Sequence, residues 1–331
     1  MSRKNIFIVA LIFALAALSA CAPTAAPKPF RIAVVMPSAS NDLAFSQSMF
    51  LALQGLQKEM GGKDQLDFAF TDNMVNVPDA AAALRDYATK GFDLVLAHGS
   101  QYGASLSDLA PDFPKTAFAW GTAVDTFASK GVKNINAYSV AADQGGYVLG
   151  VIAAKLSKTN KFGLIGPVPA GDGKLHIDGF EAGVKATSPT ATISKTFTQS
   201  FSDAALMSQA AQTIVTNGAD MLTGTSQAVT GAIAVAKDKN VAWFGNQSSQ
   251  AALAPKNVVA TQVYDWTPFL KEMIDNTKKG ALGGQVFIGT LKNKVLVVQF
   301  NPDYALPADV KKLADDTIQG LMDGKIQTGV K

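Results

Sequence analysis

Short runs of apolar and β-branched residues alternate with longer amphipathic stretches from residue 30 to the end of the chain. The first run, Arg31 to Met36, leads through a polar loop into a stretch with apolar residues at helical spacing, Phe45 to Met60. Strands that alternate in this way with helices are typical of parallel sheets covered by helices. The pattern therefore predicts an α/β fold.

The alternation passes through two successive runs of predicted strands. These strands are at 31–36, 66–71, 92–97, 116–120 and 134–140 in the first run, and at 161–165, 192–198, 220–223, 241–244 and 258–262 in the second. A further strand (295–300) and a terminal helix (307–322) belong to neither run, so we expect the chain to cross between two lobes more than once. We predict two Rossmann-like lobes with parallel sheets, joined by a multi-crossover hinge. The first lobe comprises 30–137 and 264–294, and the second comprises 138–263 and 295–331.

The N-terminus has the order of a secretory signal peptide. A short basic stretch precedes the apolar run Ile6 to Leu18, which is too short to cross a bilayer comfortably as a helix. Small residues then precede Cys21, as in the lipobox of bacterial lipoproteins. We predict a signal peptide at 1–20, lipidation of Cys21, and a proline-rich tether at 21–29. The protein would then be lipid-anchored in the cell envelope, on the periplasmic or extracellular face.

Composition excludes several other classes of protein. Cys21 is the single cysteine of 331 residues, which rules out internal disulfides and thiol-based metal sites. The net charge of +3 has no basic block, so nucleic acid is not an expected partner. His98 and His176 are far apart and have no carboxylates at ligand spacing, so we expect no metal and no cofactor.

Several short motifs follow one another along the chain: Asp42-Leu-Ala-Phe-Ser-Gln47, Gly150-Val-Ile-Ala-Ala154, His176-Ile-Asp-Gly-Phe-Glu-Ala-Gly183, Phe201-Ser-Asp203, Asn217-Gly-Ala-Asp220 and Asn301-Pro-Asp. In this order they resemble the basic membrane protein family, whose better-known members resemble purine nucleoside receptors of ABC transporters. The resemblance covers essentially the whole mature chain. It implies a type I periplasmic-binding fold, a purine nucleoside or related ligand, and a permease with its ATPase as partners. We expect a monomer.

The resemblance also implies which residues meet the ligand. Asp42 would hydrogen-bond to it from the first lobe, and Phe45 would stack on a flat ring. The other candidates are Ser46, Gly99, Ser100, Tyr102, Trp120, Asp172, Thr225, Ser226, Asn246, Gln247, Tyr264 and Trp266. Most of them are predicted to follow the carboxyl ends of strands, where ligands of such sheets bind.

Two departures from the family pattern bear on the ligand. Where the nucleoside binders have an acid that grips sugar hydroxyls, in the pattern G-V-D-x-D-Q, this chain has Gln247. Where the family tends to place a lysine, this chain has Thr261-Gln-Val-Tyr264. A carboxylate accepts hydrogen bonds roughly twice as strong as those to a neutral amide. The changes therefore favour a free nucleobase or another flat heterocycle over a nucleoside, with the aromatic residues supplying faces for the ring.

Each candidate also has a purely structural alternative. Asp42 could cap the following helix, and Phe45 could be its first core residue. Trp120 could cover the end of the sheet. We expect His98 to be packed and neutral, and His176 to lie on the outer face of its helix.

Two other functions compete with delivery of a substrate to an ABC importer. A ligand-binding sensor for a membrane receptor kinase would use the same cleft. An envelope hydrolase would need a nucleophile with a base, or a metal cluster. The sequence has no G-x-S-x-G elbow and no H-E-x-x-H motif, so we predict no catalytic residues and no enzyme activity.

Overall fold

The computed structural model describes residues 28–331. The predicted signal peptide, Cys21 and most of the predicted tether lie outside these residues. Within 28–331, no helix combines the length and apolar character needed to cross a membrane.

Twelve strands are found in the described part of the chain. In chain order they are β1 (Phe30–Val35), β2 (Leu66–Thr71), β3 (Leu94–Ala97), β4 (Ala117–Gly121), β5 (Ile135–Val140), β6 (Lys161–Gly166), β7 (Thr192–Phe197), β8 (Met221–Gly224), β9 (Ala242–Gln247), β10 (Val258–Tyr264), β11 (Val286–Gly289) and β12 (Leu296–Phe300).

Nine α-helices accompany them between residues 28 and 331. They are α1 (Phe45–Glu59), α2 (Val77–Thr89), α3 (Gly103–Leu109), α4 (Ala142–Leu156), α5 (Gly171–Thr187), α6 (Ala204–Thr216), α7 (Thr230–Asp238), α8 (Thr267–Lys278) and α9 (Ala308–Met322).

The strands form two six-stranded sheets. The first has the order β11-β5-β4-β3-β1-β2 and is parallel throughout. The second has the order β12-β10-β9-β8-β6-β7, in which only β12 runs antiparallel to its neighbour. The predicted fold class, two α/β lobes with parallel sheets, is confirmed.

The chain crosses between the sheets three times, after β5, after β10 and between β11 and β12. The predicted boundary at residue 137 is too early, because Val140 still pairs with Gly289 in the first sheet. Tyr264, assigned above to the first lobe, pairs with Leu296 and is the last residue of a strand in the second sheet. Strand β11, which was not predicted, has only four residues and follows Gly283 and Gly284.

The helices α4 and α5 approach each other through glycines spaced four residues apart, Gly146 and Gly150 on one helix and Gly179 and Gly183 on the other. A Cβ atom on Gly150 would lie 2.1 Å from the carbonyl oxygen of Phe180. A Cβ on Gly183 would lie 2.1 Å from that of Tyr147. Two of the family-like motifs therefore serve helix packing within the second lobe.

We predict that Gly150→Ala lowers the free energy of unfolding by at least ~2 kcal/mol, because the added methyl group collides with rigid backbone. Gly55→Ala is the matched control: Gly55 lies in α1, is exposed, and its added Cβ would have no atom within 4 Å. The control should gain roughly 0.5–1 kcal/mol from helix propensity. Urea unfolding of both variants provides the measurement, and equal stabilities would contradict the packing role.

Candidate ligand-binding cleft

The two lobes meet through loops that follow the carboxyl ends of β1 and β9. Ser248 Oγ donates a hydrogen bond of 2.7 Å to the carbonyl oxygen of Ala44. Gln250 Nε2 donates one of 3.2 Å to the carbonyl oxygen of Leu43. Because these loops touch, the carboxyl edges of the two sheets face each other. This is the edge at which open α/β sheets bind ligands.

Three second-lobe residues converge on this cleft from different elements. Asp172 lies in the first turn of α5, Gln247 ends β9, and Tyr264 ends β10. Gln247 Nε2 lies 3.4 Å from Asp172 Oδ2, at the long end of hydrogen bonding. The Tyr264 hydroxyl lies near Asp172 and Asn246, and it acts to lower the pKa of Asp172. Among residues 28–331, however, no group forms a hydrogen bond of good geometry with this hydroxyl.

Two buried polar atoms of this group have no hydrogen-bond partner among residues 28–331: Gln247 Oε1 and the Tyr264 hydroxyl. Gln247 is 5% exposed and Tyr264 is 1% exposed. A buried polar group without a hydrogen bond costs about 1–3 kcal/mol. Gln247 also has a φ of 74°, a left-handed conformation that is unusual for a residue with a side chain. Such strain clusters at ligand-binding sites.

Burial raises the pKa of the Asp172 carboxyl above its ordinary value, while the nearby Tyr264 hydroxyl, the Gln247 amide and first-turn backbone N–H groups act in the opposite direction. Part of the residue is exposed, whereas its carboxylate is largely removed from water. None of the groups that influence it is a cation. The basic residue two positions along α5, Lys174, pairs with Asp178 instead. The wall is therefore rich in hydrogen-bond acceptors and carries uncompensated negative charge when Asp172 is ionised.

Three further predicted residues, Asn246, Thr225 and Ser226, support this wall rather than contribute free groups to it. Asn246 Nδ2 donates to Thr225 Oγ1 at 3.1 Å, and Asn246 Oδ1 accepts the backbone N–H of Gln247. Ser226 Oγ donates to the carbonyl oxygen of Phe201 at 2.6 Å and so fixes the loop after β8.

In the first lobe, Asp42 caps α1. Its carboxylate accepts four hydrogen bonds, from the hydroxyl of Ser38 and the backbone N–H groups of Ala44, Ser46 and Gln47. These occupy the acceptor positions of both oxygens. The structure therefore favours the capping alternative over the predicted hydrogen bond to a ligand. Ser46 is also engaged, since its Oγ lies 2.6 Å from Ser38 Oγ.

Phe45 and Trp266 belong to an aromatic cluster beneath the cleft. The Phe45 ring stacks on His98 with 3.8 Å between centroids and meets Trp266 edge-on. Phe45 is 4% exposed and Trp266 is fully buried, with its Nε1 donating to Ser48 Oγ. Their predicted stacking on a ligand is not supported, because neighbouring side chains already cover them.

The two histidines are buried and neutral. His98 Nε2 donates to the carbonyl oxygen of Phe45, so Nδ1 must accept from the Tyr138 hydroxyl. Burial lowers the pKa of His98 to about 3 and that of His176 to about 4. The prediction that His176 lies on the outer face of its helix is wrong: it contacts Gln262 and Thr223 beneath the cleft. The backbone at His176 also packs against α4, since a Cβ added to Gly146 would lie 2.3 Å from the His176 carbonyl oxygen.

The loop after β3 is tied to its surroundings. Tyr102 is fully buried and donates to the carbonyl oxygen of Met74 at 2.6 Å, which removes its hydroxyl from ligand binding. The carbonyl oxygen of Gly99 accepts the Trp120 Nε1–H at 3.1 Å. Ser100 is exposed. Trp120 is partly exposed and stacks on Phe127. These contacts support its structural alternative, in which it covers the end of the sheet, rather than the predicted contact with the ligand.

Sequence reasoning missed four polar side chains near the cleft. Gln227 Oε1 and Gln262 Nε2 are buried and have no hydrogen-bond partner in the described part of the chain, while Ser248 and Gln250 join the two lobes. Gln262 could have been noticed, because it interrupts the apolar run of a buried strand. The role of the Ser248 and Gln250 side chains depends on the opposite lobe and has no local signal.

Two α/β lobes, three crossings and a polar cleft between facing carboxyl edges define a two-lobed solute-binding protein. The family model described as ABC transporter substrate-binding protein, PnrA-like, matches residues 30–324. The chain belongs to this family, and its function is to bind a substrate for an ABC transporter.

Relatives and solved structures agree with this assignment. A purine-binding protein of Brucella abortus is 28% identical over 80% of this chain and 73% of its own length. A nucleoside-binding ABC transporter protein of Lactococcus lactis is 26% identical over 86% and 85%. A solute-binding protein of Conexibacter woesei has the same fold, with a TM-score of 0.75 and 23% identity over 90% of this chain and 97% of its own.

We predict that the protein loses stability as the pH falls from about 6.5, the ordinary histidine pKa, to about 4. Both buried histidines have lower pKa values in the folded state, so only the unfolded chain takes up their protons in this range. The contribution of the two histidines to the stability of the fold is complete at pH values above their pKa in the unfolded chain. It declines as the pH falls below that pKa, by up to ~1.4 kcal/mol per pH unit for each histidine.

Urea unfolding between pH 7 and pH 4 measures this dependence. The raised carboxyl pKa values of Asp42 and Asp172 act in the opposite sense, because their protonated forms favour the fold. The pKa of Asp178 is lowered by its lysine partners, so this group titrates below the range. His176→Gln should weaken the dependence, and a variant whose free energy of unfolding changes with pH just as that of wild type does would contradict the assignment of a neutral, buried His176.

Proposed function

We propose that the protein captures a purine nucleobase, or a closely related flat and uncharged heterocycle, by closure of its two lobes. The observation that carries this proposal is the pair of buried, unpartnered polar atoms on Gln247 and Tyr264 beside the Asp172 carboxylate. A ligand with polar edges would supply the missing hydrogen bonds. The binding of purines and nucleosides by the relatives named above gives the chemical class.

The charge of the cleft restricts the ligand further. Asp172 has no cation among the groups that influence it, and the nearby histidines are neutral. A phosphorylated ligand would bring a second negative charge into a desolvated site, which is costly without a cationic partner. The ligand is therefore an uncharged base or nucleoside rather than a nucleotide.

The amide at position 247 favours the base over the nucleoside. Gln247 stands where the sequence comparison expects an acid that grips sugar hydroxyls, and a neutral amide accepts weaker hydrogen bonds than a carboxylate. Its Oε1 atom can accept from a base N–H, and its Nε2 group can donate to a ring nitrogen or carbonyl.

Delivery depends on hinge closure. The loops at 43–44 and 248–250 hydrogen-bond to each other only when the lobes come together, and ligand contacts that form only in this state shift the population towards it. As parts of the same proposal, the protein acts as a monomer and is held to the membrane by lipidation of Cys21, with its lobes outside the cytoplasm.

Isothermal titration calorimetry tests the ligand class. We expect adenine, hypoxanthine or guanine to bind with a Kd in the micromolar range or below, which is about −8 kcal/mol at 1 μM. The matching nucleosides should bind at least tenfold more weakly, and adenosine monophosphate should give no heat. Tighter binding of the monophosphate than of adenine would overturn the proposal, and so would the absence of heat with all the bases and nucleosides.

A further inference from the structure

The family pattern places an acid at position 247, at the end of β9, whereas the carboxylate of this cleft belongs to the helix α5. Residue 247, at the end of β9, carries an amide. The carboxylate belongs to Asp172 in the first turn of α5, and its Oδ2 lies 3.4 Å from Gln247 Nε2. The two side chains thus occupy one wall, with the acid supplied by the helix and the amide by the strand.

The polar groups of this wall have a defined hydrogen-bonding character. Gln247 Oε1 and the Asp172 oxygens are acceptors, and the Tyr264 hydroxyl can donate or accept. Gln247 and Tyr264 are each at least nine-tenths buried and have unpartnered atoms in this group. A ligand group that offers two adjacent donors would satisfy the Asp172 carboxylate and Gln247 Oε1 together.

Resting on the proposed function, we propose that Asp172 is the specificity-determining residue of the cleft: with Gln247 and Tyr264 it binds a pair of hydrogen-bond donors on the ligand. Base N–H groups and sugar hydroxyls share this chemistry. An ionised carboxylate gives charge-assisted bonds to such donors and contributes most of the discrimination among uncharged ligands.

An alternative role for Asp172 is structural, since it lies at a helix N-terminus where a carboxylate stabilises the helix. The two roles make different demands on the free protein. A purely structural carboxylate would cost stability when neutralised. A ligand-binding carboxylate that is desolvated and lacks a cation would be relieved by neutralisation, since its raised pKa means that the fold disfavours its charge.

The test compares wild type with Asp172→Asn, with Tyr264→Phe and with the control Asp178→Asn, using calorimetric titration with adenine. The control makes the same chemical change on the same helix, at a residue whose carboxylate pairs with Lys174 and Lys195. We expect Asp172→Asn to weaken adenine binding at least tenfold and Tyr264→Phe several-fold. The control should bind as wild type does, and the thermal midpoint of ligand-free Asp172→Asn should not fall.

Adenosine and 2′,3′-dideoxyadenosine distinguish the two sources of donors. If Asp172 accepts from the base, Asp172→Asn weakens adenine, adenosine and the dideoxy analogue equally. If it accepts from the sugar, only adenosine binding is weakened, and the role of Asp172 stands with the donors reassigned.

Two results would overturn the inference separately from the proposed function. If Asp172→Asn binds both adenine and adenosine as tightly as wild type does, Asp172 does not determine specificity. Loss of binding together with a lowered thermal midpoint in ligand-free Asp172→Asn assigns it a structural role. If wild type binds no purine at all, the proposed function itself fails and this inference falls with it.

Discussion

The structure depends on one constraint: the carboxyl edges of two parallel sheets face each other across three chain crossings. This arrangement gathers loops from distant parts of the sequence into a single cleft. The hydrogen bonds from Ser248 and Gln250 to the carbonyl oxygens at 43–44 span more than 200 residues of chain. Gln250 can reach across because Trp243 Nε1 binds its Oε1 and fixes the amide orientation.

The lobes contribute unequally to this cleft. In the first lobe, the polar groups nearest the join are already used, with Asp42 capping α1 and His98 bound between Phe45 and Tyr138. In the second lobe, buried polar atoms are left without protein partners. Under the proposed function, the ligand would therefore receive its hydrogen bonds mainly from the second lobe.

The fold could be predicted from the sequence because all the described strands except β11, and most helices, carry a local signal. Strand β11 could not, because its four residues depend on pairing with β5. The burial of His176 could not be predicted either, because it depends on contacts with Thr223 and Gln262 of the strands β8 and β10 and on packing against the helix α4.

The site was harder to predict than the fold. Strand direction alone puts Gln247 and Tyr264 at the carboxyl ends of β9 and β10, and their role in ligand binding stays a prediction. Whether a side chain is free or already engaged depends on partners from other elements. Tyr102, for example, lies in the loop after β3, but its hydroxyl is already engaged because it donates to the carbonyl oxygen of Met74.

The distance across the cleft tests closure most directly. Spin labels on Val124→Cys in the first lobe and Phe201→Cys in the second, in a chain with Cys21→Ser, would report it, since both side chains are exposed and follow strands of opposite lobes. Binding between the lobes predicts that saturating adenine shortens the mean distance and narrows its distribution. A distribution that stays the same when adenine is bound would contradict the account.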